Sequence, residues 1–129
     1  MLIEDYFQEV QLLIESSKIV QLFNITNEKR GLYEGFIKGH ISFKDNSLLH
    51  LREFVYVEIQ IDRKMYSYQY MNAHNNLIFR YDNTEHHQKL NLPTFPHHKH
   101  NGSEQNVIQS NAPFLVEVLQ EVEKILEFA

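Results

Sequence analysis

The chain has 129 residues, 43% of them apolar and 22% charged, which fits one folded domain over 1–129 and excludes a disordered chain. Its formal charge of −5, from 12 bases against 17 acids, excludes a general nucleic-acid coat but leaves room for a local cationic site. With no cysteine, the chain has no disulfide, Cys-ligated zinc, Fe–S cluster or thiol nucleophile.

No run of about 18 apolar residues occurs, so no membrane-spanning helix and no membrane partner is expected. The first residues carry acids where a secretory leader needs bases, so a cytoplasmic protein is the expectation. Residues 1–22 predict a helix. Ile3, Tyr6, Phe7, Val10, Leu13 and Ile14 recur at spacings of three and four, and Glu4 and Asp5 lie in the first turn, where the helix dipole favours them. Residues 24–31 are polar, end in Gly31 and read as a connection. From residue 32 the period becomes two. Tyr33, Ile37, Ile41 and Phe43 point one way, and Glu34, Lys38, His40 and Ser42 the other. Lys44-Asp45-Asn46-Ser47 is turn chemistry, and a second strand follows over 48–58. Asp62-Arg63 breaks the pattern before a third strand over 64–71. A polar turn over 72–76 then leads to a fourth strand, 77–82. Short links of this kind predict an antiparallel meander.

Residues 83–111 hold two of the three prolines and no periodicity, and read as one long loop of the kind that often carries function. Pro113 suits the first turn of a closing helix, with Asn111 as its cap. That helix has an apolar stripe of Leu115, Val118, Leu119, Val122, Ile125 and Leu126. Its other face, with Glu117, Glu121, Glu123 and Glu127, reads as solvated. The expected architecture is α+β: a four-stranded antiparallel meander sheet, N- and C-terminal helices packed on one face, and a long His-rich loop before the last helix.

Strand alternation sorts the polar residues. His50 and Arg52 share one face of the second strand, and Arg80 and Asp82 share one face of the fourth. Glu53 falls on the apolar side and needs a partner there or a bulge to re-aim it. If the polar faces coincide, the sheet presents groups suited to holding a phosphodiester and moving protons on it. Arginine grips phosphate oxygens in bidentate fashion, and histidine titrates near neutrality. Tyr66, Tyr68 and Tyr70 line up at spacing two on the third strand. They would either rim this face and stack bases or pack a helix onto the sheet. The chain also holds eight histidines, five of them (His86, His87, His97, His98 and His100) within 15 positions. Three readings of the loop compete. In one, a pair such as His97 with His100, or His98 with His100, holds a metal ion, with an oxygen from Asp82 or Glu85, although no specific zinc spacing is matched. In the second, one histidine serves as base on a ribose 2′-hydroxyl and another as acid on the leaving oxygen. Arg52, Arg80 or Lys99 then stabilises the charge on phosphorus. In the third, the loop histidines only hold the backbone. No cofactor is otherwise predicted.

The stretch Ser47-Leu48-Leu49-His50-Leu51-Arg52-Glu53-Phe54 and the tyrosine strand are followed by Phe79-Arg80-Tyr81-Asp82-Asn83, His86-His87 and Leu92-Pro93-Thr94-Phe95-Pro96-His97-His98-Lys99-His100. Together they resemble the TumE family, described as the toxin component of a toxin–antitoxin pair in bacteria and archaea. The tract from Thr94 to His100 is the most specific part, and the resemblance covers nearly the whole chain. At the first hairpin this chain has Asp45-Asn46 where the family favours Asp-Gly, a change of turn geometry rather than of chemistry. The resemblance implies a cytoplasmic toxin encoded beside an antitoxin with a helix-turn-helix DNA-binding domain, which neutralises it by direct binding. It carries no assigned catalytic residues.

Matching the polar motifs to the face argument gives His50, Arg52, Arg80, Asp82, His97, His98 and His100 as candidate catalytic residues. Tyr66, Tyr68, Tyr70, His86, His87 and Lys99 are candidates for substrate binding. The leading expectation is a toxin that cleaves RNA without a metal, by analogy with other small toxins. A module that inhibits by occupying a protein or nucleic-acid target is the alternative. A nucleotidyl- or group-transfer enzyme is a further one, disfavoured because no Asp-x-Asp pair is present to hold Mg²⁺. Exposed sheet edges make a homodimer one expectation, and the acidic face of the last helix is a candidate surface for a basic antitoxin.

Overall fold

Helix α1 (Ile3–Glu15) buries Ile3, Tyr6, Phe7, Val10 and Ile14, the stripe expected from the sequence. The Asp5 carboxylate reaches back to accept from the Leu2 N–H at 3.1 Å. The helix stops about two turns short of residue 22. The Ser16 hydroxyl donates to the Leu13 carbonyl at 3.0 Å, and the chain turns out through Ser16-Ser17. The computed structural model describes residues 1–127, the side chain of Gln88 apart.

Seven strands follow in chain order: β1 (Val20–Lys29), β2 (Glu34–Phe43), β3 (Leu48–Tyr56), β4 (Asp62–Met71), β5 (Leu77–Asp82), β6 (His98–Asn101) and β7 (Val107–Gln109). They form one antiparallel sheet in the order β1-β2-β3-β4-β5-β6-β7. The meander is therefore real, but it has seven strands rather than four. Residues 20–29, divided in the sequence reading between a helix and a connection, form the edge strand β1. It is mostly exposed, with only Val20 and Ile25 half-buried against the core, so it shows no apolar alternation. The supposed loop over 83–111 contains a 3₁₀ turn (Glu85–Leu90) and the hairpin β6–β7. The residues that β6 buries are His98 and His100, so it has no apolar signal to read. Helix α2 (Leu115–Glu127) buries Leu115, Val118, Leu119 and Val122.

Register settles which residues share a face. Leu51 pairs with Tyr68, Tyr68 with Tyr81, and Tyr81 with Lys99. With Ile37, Ile41, Leu49, Val55, Tyr66, Tyr70 and Phe79, this face makes the core under the helices. Tyr6 of α1 reaches Glu53 on that face. Glu121 of α2 accepts from Tyr81 at 2.6 Å and from Lys99 at 3.0 Å, so both helices cover the same side. Close approach of α1 depends on Gly35, where a Cβ would lie 2.7 Å from the Phe7 ring. A bulge on β4, where Phe54 pairs with Met65 but Val55 with Arg63, turns the Arg63 side chain toward α2. Its guanidinium donates to the carbonyls of Pro113 at 2.6 Å and Ala112 at 2.7 Å, and lies over the rings of Tyr66 and Phe114. Among the described residues, no helix is long and apolar enough to cross a membrane.

Candidate functional site

The face away from the helices carries two polar rows that run across the strands. One is Lys38–Arg52–Ser67–Asp82–His98, and the other is His40–His50–Gln69–Arg80–His100. The expected coincidence of the β3 and β5 polar faces is thus met, and β6 extends it. The 3₁₀ turn folds over this face, and a cleft of about 580 Å³ opens there. His50, Arg52, Gln69, Arg80, Asp82, His86, His87 and His100 are among its walls.

Asp82 is the hub. Oδ1 accepts from the Thr84 N–H at 3.0 Å and the Thr84 hydroxyl at 2.9 Å, and Oδ2 accepts from Arg80 Nε at 3.1 Å. Burial alone would raise its pKa. The Thr84 and Arg80 donors and the neighbouring His98 outweigh it and hold the carboxyl below its ordinary value. Arg80 spends all five of its N–H groups. Besides Asp82 they reach Gln69 Oε1 at 3.1 Å, the two Glu104 carboxylate oxygens at 2.7 and 2.8 Å, and His100 Nε2 at 3.1 Å. Arg80 is therefore an organiser of the cleft and has no donor left for a phosphate.

His98 and His100 are only 1% and 2% exposed. His98 Nδ1 lies 2.9 Å from the Pro96 carbonyl, and His100 Nδ1 lies 2.9 Å from the Glu104 carbonyl. A carbonyl only accepts, so each Nδ1 carries the proton and each Nε2 presents a lone pair when the ring is neutral. Arg80 donates to the lone pair of His100. His98 Nε2 is buried and makes no hydrogen bond, although Asp82 Oδ1 is 2.9 Å away, because the carboxylate lies off the direction a ring N–H would need. His87 stands over both, its ring centroid 4.8 Å from that of His98 and 5.3 Å from that of His100, with interplanar angles of 73° and 70°. Burial, then the proximity of His98 and His100, lowers its pKa and keeps it neutral at pH 7.

Several expected site residues lie elsewhere. Tyr68 and Tyr70 do not rim the cleft. They are buried under the helices, where Tyr68 donates to Glu53 at 2.6 Å and Tyr70 to Ser47 at 2.8 Å. Tyr66 reaches the end of the cleft with its ring, but its hydroxyl lies 2.8 Å from His97 Nδ1 and the two rings stack. Burial pushes that hydroxyl up to about 12, so it is the donor. His97 is thereby held away from the other histidines, as odd positions on this segment must be. Lys99 likewise falls on the helix face, bound to Glu121 and lying over the Phe79 and Tyr81 rings. Glu121 is correspondingly a tie between α2 and the sheet, and not part of a freely solvated acidic face. Glu53 meets its partners there too, accepting from Tyr6 and Tyr68.

Sequence reasoning missed Ser67 and Gln69, which alternation with the three tyrosines places on the cleft face. It also missed Glu104, whose role depends on the β6–β7 turn and has no sequence signal. A further feature of this face is the pair Phe36 and Phe54, with ring centroids 4.4 Å apart, one row beyond Lys38 and Arg52. Among the described residues, Lys38 and Arg52 have no carboxylate within ion-pairing distance.

No curated protein sequence and no solved structure matches the chain. One family model, Toxin TumE, matches residues 10–126 and so takes in every strand, the cleft and nearly all of α2. The resemblance, whose most specific part is the Thr94–His100 tract, covers the fold that builds the site, and the chain belongs to the TumE toxin family.

Proposed function

We propose that this toxin acts on RNA by cleaving phosphodiester bonds in the cleft. The carrying observation is the adjacent, carboxylate-free pair Lys38 and Arg52, which opens onto a histidine-lined cleft in a chain of net negative charge. Arg52 and Lys38 hold the phosphate, with Arg52 supplying the bidentate grip. A nucleobase stacks on the Phe36–Phe54 pair in place of the tyrosines. His50 and His86 are the exposed imidazoles at the cleft. One takes the proton of the ribose 2′-hydroxyl, and the 2′-oxygen attacks phosphorus. The P–O5′ bond breaks, the other imidazole protonates the leaving 5′-oxygen, and a 2′,3′-cyclic phosphate remains. His98, His100, Arg80 and Asp82 form the wall behind this arrangement, since the N–H groups of the first three are committed and Asp82 accepts from Arg80 and Thr84. The chain's own partner in this reading is an antitoxin. The open edge of β1, ten residues long with Leu22 and Phe23 exposed, is where an antitoxin strand or a second copy would add.

The test is purified protein in trace amounts with excess total RNA, beside Arg52→Ala. Arg52 is exposed and unpaired, so its removal should leave stability within about 0.5 kcal/mol. New RNA fragments and growth arrest from the parent chain, both lost in a folded Arg52→Ala, are the expected result. Stoichiometric protection of RNA without fragments would favour inhibition by occupancy. Intact, unshifted RNA with growth arrest would overturn the RNA reading.

A further inference from the structure

We infer that His87, His98 and His100 form a binding site for one divalent transition-metal ion, Zn²⁺ being the best fit. Among the described residues these three bring ligand nitrogens to within 4.8 Å of one another. Their rings meet edge-on at 70–73°, so the three planes converge rather than stack. The tautomers are fixed for the purpose. Nδ1–H of His98 and of His100 each donates to a backbone carbonyl, which leaves Nε2 as the ligand atom. The orphaned His98 Nε2 is the decisive observation. With its proton on Nδ1, a buried lone pair lies 2.9 Å from the Asp82 carboxylate. Two such acceptors repel unless a positive species sits between or beside them. A proton on Nε2 would need the carboxylate in line, and it is off line. A metal ion in the centre of the three rings satisfies His98 directly and is also neutralised by Asp82.

Three imidazoles with one position open is a zinc donor set, and the nearby carboxylate of Asp82 is a fourth ligand or a hydrogen-bond partner for a bound water. Tetrahedral zinc brings its nitrogen ligands to roughly 3.3 Å from one another. The rings must therefore draw in, and His87 is the one free to do so, since it is half-buried and sits at a kink of the 3₁₀ turn (φ −110°, ψ 35°). Arg80 Nη2 must give up His100 Nε2. The guanidinium keeps its four other acceptors, so that loss is local. The site stands on this geometry alone and does not require RNA as substrate. If RNA is the substrate, the ion borders the cleft on the β6 side, three strands from Arg52.

The experiment is zinc titration by calorimetry, with metal content after dialysis, on the full chain without a polyhistidine tag. His87→Ala, His98→Ala and, as a surface-histidine control, His74→Ala are compared. One zinc per chain is expected for the parent and for His74→Ala. Loss of a supporting hydrogen bond alone weakens metal sites by about 10–100-fold, so loss of a ligand in His87→Ala should cost roughly 100-fold or more. Cobalt substitution should give a tetrahedral visible spectrum in the parent and none in His87→Ala. His98→Ala removes a buried group and is read only if circular dichroism shows it folded. His87→Ala, at the half-exposed position, carries the decision. No stoichiometric zinc in the parent, or equal uptake by His87→Ala, overturns the site. Because metal content is read without RNA, its failure is distinct from failure of RNA cleavage.

Discussion

Glu53 is a carboxylate with 1% exposure and two tyrosine donors, Tyr6 from α1 and Tyr68 from β4, with Arg63 donating in turn to the Tyr68 hydroxyl at 3.2 Å. The arrangement satisfies a buried anion with hydroxyls rather than with a direct ion pair, and it locks α1 onto the middle of the sheet. Burial, then the Glu53 charge, raises both tyrosines above their ordinary value. The sign of the pH dependence follows. A tyrosine of the unfolded chain ionises near pH 10, while Tyr6 and Tyr68 keep their protons in the fold. Their contribution is therefore full below about pH 10 and is lost as the pH rises beyond it, by up to about 1.4 kcal/mol per pH unit for each. Thermal melts from neutral to strongly alkaline pH should show this fall. Tyr68→Phe should be less stable at neutral pH by about 1–3 kcal/mol, because Glu53 loses a donor, yet decline less steeply above pH 10. Parallel curves for the two proteins would refute the assignment.

At the level of elements, α2 is held at its start by Arg63 and at its middle by Glu121. Arg63 owes its direction to the β4 bulge, without which it would point to the cleft face. Its two hydrogen bonds to carbonyls and its place over the Tyr66 and Phe114 rings need a planar fork. Arg63→Ala should cost about 2–5 kcal/mol, taking the charged hydrogen bonding at about 1.5–3 kcal/mol and cation–π contact at about 0.5–2 kcal/mol. Arg63→Lys should recover little of it. Hydrogen exchange should then quicken at the first turns of α2 before the central strands are affected, and uniform protection in Arg63→Ala would count against the latch. The same bulge shows where sequence reading stops. Strands β2 to β5 were legible because each buries every second residue against the helices. Strand β1 was not, because only Val20 and Ile25 pack against the core, and β6 was not, because its buried residues are histidines. Two signals for β6–β7 were nevertheless present: His98 and His100 at spacing two, and Asn101-Gly102, with Gly102 at φ +80° in the turn. Had 98–101 been read as a strand, parity would have put Lys99 and His97 on the far side. The candidate site was legible for His50, Arg52, Arg80 and Asp82, where alternation holds. It was not legible for the commitment of Arg80 to Glu104, which depends on the path of a turn.

Across the whole molecule, the charge balance and the local surface point opposite ways. The chain is net negative, yet the cleft face carries Lys38 and Arg52 in one row and Arg30 over the neighbouring Phe36, with His40 and His50 beside them. Arg30 is partly spent on Glu28 at 3.2 Å and lies over the Phe36 ring, which leaves Lys38 and Arg52, among the described residues of this face, as the cations without a carboxylate partner. A small set of phosphate contacts embedded in an acidic body should bind single-stranded RNA weakly and with a shallow salt dependence. Each phosphate neutralised contributes a slope of about −0.7 in log K against log salt, so two or three contacts give about −1.4 to −2. Lys38→Glu should weaken binding of a short single-stranded RNA and reduce the slope by at least about 0.7, since the added acid repels the backbone as well. Charge reversal at Lys64, an exposed lysine already paired with Asp62 at 2.8 Å, should change neither quantity as much. Fluorescence anisotropy over a salt series measures both. A steep slope in the parent chain, insensitive to Lys38, would mean that the nucleic acid lies on another surface and that the cleft serves a different ligand.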